Sequence, residues 1–172
     1  MRKALFILGD LEDRDLIWLS EAGGLRQLAP GEALVEAGRE ISDLFFVTDG
    51  SFTVTFEGRR IAELGTGDVV GEMSFVEKRP PSTTVTALTP SRVLAVPRGA
   101  MLQAFRSDPA MAARFYRALA VFLSDRLRTT MEGDQPVPGL GNGELDEGLL
   151  DTLHVAGDRM VRLIDLLEGR AR

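Results

Sequence analysis

The sequence predicts a mainly β protein with flanking α-helices: a compact β-barrel or jelly roll preceded by a short helix and followed by a long helix and one further amphipathic helix. Three observations lead there. Phe52, Val54 and Phe56 alternate with Ser51, Thr53 and Thr55, the two-residue repeat of a strand with one buried face. Turn signals recur at short intervals between Pro30-Gly31 and Pro90 and divide the middle of the chain into strand-length pieces. Beyond Pro97 the apolar spacing lengthens to three and four residues, the repeat of a helix lying on a core.

Residues 11–22 read as the short helix, with Leu11, Asp15, Leu16, Trp18 and Leu19 giving a partly apolar face and Gly23-Gly24 ending it. A strand follows near Leu34. Runs at 44–47 and 51–56 are joined through Asp49-Gly50, the strongest hairpin signal in the chain. Further strands are expected at 60–64, 83–88 and 92–96, set apart by Glu57-Gly58, residues 65–67 and Pro90. The alternation assigns Phe45, Phe46, Phe52 and Phe56 to the barrel core. Gly65, Gly67 and Gly71 are similar to a dinucleotide-binding glycine pattern, but the third glycine is one position late and no long helix follows, so a tight turn is expected instead.

Met101, Leu102 and Phe105 suit a short helix, and Asp108-Pro109 supplies an N-cap followed by the residue best tolerated at the first helical position. From Pro109 to Glu132 the apolar residues Met111, Phe115, Leu119, Phe122, Leu123 and Leu127 form one face. Residues 133–143 contain four Gly and two Pro, which is linker composition. Leu149, Leu153, Ala156, Met160, Leu163 and Leu167 then recur at four- and three-residue steps along a last helix. That stripe can fold back on its own domain, pair with a second copy or dock on another protein. The organisation expected is a domain over 1–131, a linker over 132–143 and a C-terminal helix over 144–172.

The 20 Lys and Arg against 26 Asp and Glu give a net charge of −6, which argues against broad attraction to nucleic acid or anionic membranes. With no Cys there is no disulfide framework, thiolate nucleophile or Cys-based metal site. His154, the single histidine, makes neither a metal site nor a triad. The apolar run at 4–8 is too short for a signal-peptide core or a membrane span, so a cytoplasmic protein is expected.

Residues 71–85, beginning Gly71, Glu72, Met73, Ser74, Phe75 and ending Arg79, Pro80, Pro81, Ser82, Thr83, Thr84, Val85, carry the chemistry. A short helix opening near Met73 would present unpaired backbone N–H groups, Gly71 would allow close backbone approach, and Ser74, Ser82, Thr83 and Thr84 would add hydroxyl donors. This stretch resembles the phosphate-binding cassette of cyclic nucleotide-binding domains, and the order of helix, barrel, short helix and long helix is similar to that family over residues 5–131. The resemblance implies a jelly-roll barrel of that type and cyclic AMP or cyclic GMP as ligand. It also implies that Glu72 accepts from a ribose hydroxyl and that an arginine pairs with the phosphate. Pro81 stands at that arginine's position, and Arg79 and, on the long helix, Arg126 are the candidates to replace it.

Bacterial regulators with such a domain continue into a helix-turn-helix, and the residues after the long helix do not accommodate one; no catalytic signature is present either. Two readings follow. In one, the chain is a standalone regulatory module that senses a cyclic nucleotide or another small phosphate-bearing ligand and is read by a separate effector protein. In the other, it is a degenerate domain that binds no nucleotide and serves as an oligomeric scaffold. Homo-oligomerisation is expected through the long helix, the last helix, or both.

Overall fold

The computed structural model describes residues 5–132 and 147–169, with side chains over 8–124 and 155–169. In chain order the elements are α1 (Leu5–Asp10), α2 (Asp13–Ala22), β1 (Gly24–Leu28), β2 (Ala33–Val35), β3 (Asp43–Asp49), β4 (Ser51–Phe56), β5 (Arg59–Gly65) and β6 (Val69–Val70). They continue with α3 (Glu72–Glu77), β7 (Thr84–Ala87), β8 (Ser91–Pro97), α4 (Arg98–Ser107), α5 (Pro109–Glu132) and α6 (Glu147–Leu167). The strands form two four-stranded sheets, ordered β1-β8-β3-β6 and β2-β7-β4-β5, and every pairing between neighbours is antiparallel.

The two-residue repeat explains where the apolar side chains go. Phe45 and Val47 of β3, Val70 of β6 and Val93 of β8 point between the sheets, where they meet Val35, Phe52, Val54 and Val85 of the second sheet. Their neighbours Leu44, Phe46, Val69, Leu94 and Val96 point the other way, into a layer of helices. The first sheet is therefore covered on both faces, and β3 reads as a continuous apolar run. The second sheet is half-solvated: β4 alternates buried and partly exposed side chains, and β5 is largely exposed.

Phe56 departs from the core assignment, being 43% exposed. The β4–β5 register shifts between Val54 and Thr55, so the in-out alternation breaks before it reaches Phe56 at the strand's end. Asp49-Gly50 does form the tight turn between β3 and β4. A Cβ on Gly50, at φ +92°, would lie 2.2 Å from Ser91 Oγ. Strands β1 and β6 were not legible as separate elements, the first because its side chains are mostly exposed and mixed, the second because it is two residues long.

At the N-terminal side the expected single helix is two. Helix α2 begins at Asp13, with the Glu12 N–H donating to Asp15 Oδ2 at 2.8 Å, and α1 precedes it. Asp15, only 2% exposed, also accepts two parallel bonds from Arg114 of α5, Nε to Oδ2 and Nη2 to Oδ1, each 2.9 Å. Its carboxylate is the main reason the Arg114 guanidinium is held above its ordinary pKa, with Glu12 and Asp108 adding to the effect. Asp108 caps α5 as the sequence predicts, its Oδ1 accepting from Ala110 N–H and Met111 N–H at 3.0 Å.

Helix α6 lies against the same domain. Met160 and Leu163 are buried in the helical layer beside Leu8, Leu11 and Leu16, and Ala156 of the same helix is also buried. Arg159 donates to the carbonyls of Leu8 and Gly9, Arg162 pairs with Asp13, and Arg92 of β8 pairs with Glu168 at 3.3 Å. The described part of the apolar stripe is thus used within the chain. The side chains of Leu149, Leu153 and His154 lie outside the described residues, as do the expected linker from residue 133 onward and the helix stop at Gly133.

Candidate functional site

Residues 71–74, 77 and 79–83 wall a cavity of about 270 Å³ whose floor is the inner barrel core, including Val35, Val54, Val70 and Val85. Local backbone geometry builds it. Gly71 adopts φ +95°, and a Cβ there would sit 2.8 Å from Ile41 Cδ1 and 3.2 Å from the Asp43 carbonyl, so only glycine turns the chain from β6 into α3 at this spot. The helix then closes with the Phe75 N–H on the Gly71 carbonyl at 2.9 Å. It ends where Lys78 takes a left-handed conformation and its N–H returns to the Ser74 carbonyl.

The back of α3 is fixed. Phe75, 5% exposed, meets Phe115 edge-on at 5.6 Å between ring centroids and Phe105 at 6.3 Å. Arg98 Nη2 donates to the Phe75 carbonyl at 3.2 Å, and its guanidinium lies 5.7 Å from the Phe75 ring centroid. One aromatic side chain therefore joins the cavity wall to the packing of α4 and α5.

Of the predicted site residues, Gly71, Glu72, Met73, Ser74, Arg79, Ser82 and Thr83 line the cavity together. Glu72 is 5% exposed, Ser74 and Thr83 are half-buried, and Met73, Arg79 and Ser82 are exposed. Thr84 is not among the lining residues; its Oγ1 accepts from the Ala37 N–H at 3.1 Å and so joins β7 to the β2–β3 loop. The Arg126 side chain lies outside the described residues. Sequence reasoning did not single out Glu77 or the valine floor. Glu77 sits inside the stretch already selected, but the valines carry only a burial signal, which does not tell a packed core from a cavity floor.

Among the described residues the lining suits a ligand that is part apolar and part polar: a hydrophobic floor, hydroxyl side chains, the buried Glu72 carboxylate and the Arg79 guanidinium at the wall. Among the described residues no cluster of His, Asp and Glu could hold a metal ion. No helix among them is long and apolar enough to cross a membrane.

Residues 25–108 match the sequence model of the cyclic nucleotide-binding domain. The chain is 31% identical over 122 residues to Glutaminase 2 of Bradyrhizobium diazoefficiens, an alignment covering 70% of this chain and 19% of that protein. It is 39% identical over 79 residues to the Pycsar effector protein PaPycTIR of Pseudomonas aeruginosa, covering 45% and 26%. The chain thus spans about a fifth to a quarter of the length of these relatives. The crystal structure of a cyclic nucleotide-binding domain from Methylobacillus flagellatus superimposes with a TM-score of 0.68 at 21% identity, over 84% of this chain and 85% of that one.

Proposed function

Since residues 25–108 of this chain are a cyclic nucleotide-binding domain with the jelly-roll fold of that family, we propose that the protein is a ligand-sensing regulatory module. Its ligand is a cyclic nucleotide, cyclic AMP or cyclic GMP, or another small phosphate-bearing molecule, and its place of action is the cytoplasm. The observation that carries this reading is the gathering of Gly71, Glu72, Ser74, Ser82 and Thr83 around one cavity over an apolar floor. The ligand's apolar part would lie on the valines, and a ribose-type hydroxyl would donate to Glu72. The hydroxyls of Ser74, Ser82 and Thr83 would then donate to the phosphate.

Phe75 gives the site a way to be read. It belongs to the cavity's helix and packs on Phe105 and Phe115, so a ligand that moves α3 changes the packing of α4 and α5. A separate effector protein would read that change. With Ala156, Met160 and Leu163 of α6 buried within the chain, α5 is the face we assign to pairing of copies, through exposed Tyr116 and Val121.

A second reading is favoured by one observation, Pro81 at the position where the family resemblance places an arginine. Loss of a charge-assisted bond costs about 1.5–3 kcal/mol, roughly one to two decades in dissociation constant. A domain so weakened would serve as an oligomeric scaffold. Calorimetric titration with cyclic AMP and cyclic GMP separates the two. Sensing predicts binding at micromolar to tens of micromolar strength that Glu72→Ala removes without unfolding the chain, whereas no heat up to millimolar ligand would favour the scaffold.

A further inference from the structure

Helix α3 has only 6 residues, too few to hold its own shape, so its position depends on what fastens it. Its first end is set by Gly71, which backs so closely on Ile41 and the Asp43 carbonyl that there is no room for a Cβ. Its last turn carries carbonyls that no later amide of the helix can reach. One of these, that of Phe75, accepts from Arg98 Nη2 at 3.2 Å.

We propose that Arg98 is a positioning residue of the candidate site: without touching the ligand, it fixes the last turn of α3 and so sets the wall against which the ligand binds. Its effect on affinity rests on the ligand-sensing reading above and deepens it. Three attachments suit Arg98 to this role. Its backbone N–H donates to the Ser42 carbonyl at 2.8 Å, between the Ile41 and Asp43 that back Gly71, so both ends of α3 are referred to residues 41–43. Its guanidinium bonds the Phe75 carbonyl and lies 5.7 Å from the Phe75 ring centroid, a charge-assisted bond and a cation–π contact to one residue. Its helix meets the same ring again at Phe105, about two turns or 10 Å further along one face of α4.

Contacts so far apart hold α3 against rolling as well as against moving away. The side chain of Arg98 is half-buried, and among the described residues its Nε is buried without a hydrogen-bond partner. A guanidinium kept on one neutral carbonyl while a buried donor goes unsatisfied serves position rather than charge balance.

Two variants test this: Arg98→Met keeps the apolar stem and removes the donors, and Arg98→Lys keeps a cation that reaches the same carbonyl. Amide hydrogen exchange of the ligand-free protein reads the fastening of α3 directly. In Arg98→Met, exchange about tenfold faster is expected at the Phe75 and Lys78 amides, which close the helix on Gly71 and Ser74, with β3 and α5 unchanged. Cyclic AMP titration should show roughly 3- to 30-fold weaker binding in Arg98→Met, largely restored in Arg98→Lys. Trp18, the single tryptophan, borders α4 in a depression shared with Ala100 and Ala104, so its emission reports whether α4 keeps its packing. Parent-like exchange or parent-like affinity in Arg98→Met overturns the role of Arg98 and leaves the ligand-sensing reading standing. A shift in Trp18 emission, or faster exchange throughout the barrel, also overturns it, since the loss would then be one of general packing. A lysine variant as weak as the methionine one does the same. No heat from the parent with cyclic AMP overturns the ligand-sensing reading and Arg98's effect on affinity with it, while the exchange comparison still decides whether Arg98 holds α3.

Discussion

Removing the Arg114 side chain should be among the most destabilising single changes in this protein. Asp15 is 2% exposed and receives both parallel bonds of the guanidinium at 2.9 Å, plus the backbone N–H of Glu12 at 2.8 Å. Arg114→Met keeps most of the apolar stem but strips a buried carboxylate of its counter-charge and two of its three donors. Breaking one partner of such a pair typically costs about 3–5 kcal/mol. At a length of 172 residues, each kcal/mol moves the melting temperature by about 2–4 °C, so a fall of about 6–20 °C is expected. Urea denaturation of parent, Arg114→Met, Asp15→Asn and the double variant would measure it. The double variant should lose less than the sum of the singles, because each single change already forfeits the same pair. A loss below about 1 kcal/mol, the range of exposed ion pairs, with additive singles would refute the claim that this link between α2 and α5 is buried and strong.

Gly71→Ala is expected to cost about 1–3 kcal/mol, from the φ of +95° and the contact its Cβ would make with Ile41, and to weaken any ligand binding by shifting α3; unchanged stability by thermal denaturation would contradict the geometry. Leu163→Ala, at a site with 0% exposure, should cost about 2–5 kcal/mol if α6 is packed on its own domain, and a near-neutral result in the same assay would mean that it is not. Asp108 titrates below its ordinary value, chiefly because its carboxylate accepts the Met111 N–H, with Arg14 and Arg114 adding to the effect. Its contribution is therefore complete above the usual aspartate pKa near ~4 and is lost as pH falls through the lowered folded value. The parent should lose stability on acidification through that range more steeply than Asp108→Asn, and equal pH profiles would deny Asp108 that role.

Signals that act over a few residues were readable in the sequence. Asp49-Gly50 makes its turn, Asp108-Pro109 starts α5, and the glycine of the Gly71-Glu72 pair has the left-handed backbone that opens α3. Signals that depend on distant partners were not. The alternation of Phe52, Val54 and Phe56 is regular in sequence, yet the bulge that sends Phe56 outward arises in pairing with β5. Leu44, Phe45, Phe46 and Val47 give no period because helices cover one face of β3 and the opposite sheet covers the other. In the candidate site, residues 71–83 were legible as one stretch. The rest depends on distant pairing: the Gly38 N–H and the Pro81 carbonyl, more than forty positions apart in the chain, meet at 2.8 Å in the fold.

The docking of α6 on α1 also sets an order of events in synthesis. Arg159 reaches carbonyls 151 and 150 residues earlier in the chain, and Leu8 shares a cluster with Leu163. A ribosome adding about 5–20 residues per second takes roughly 8–30 seconds to cross that interval. For that time the apolar side of α1 waits without its final cover, while the barrel's neighbouring strands can already pair. Helix α6 therefore covers α1 late, and a nascent chain halted before it would present Leu8 and Leu11 to whatever chaperone or sister chain arrives first.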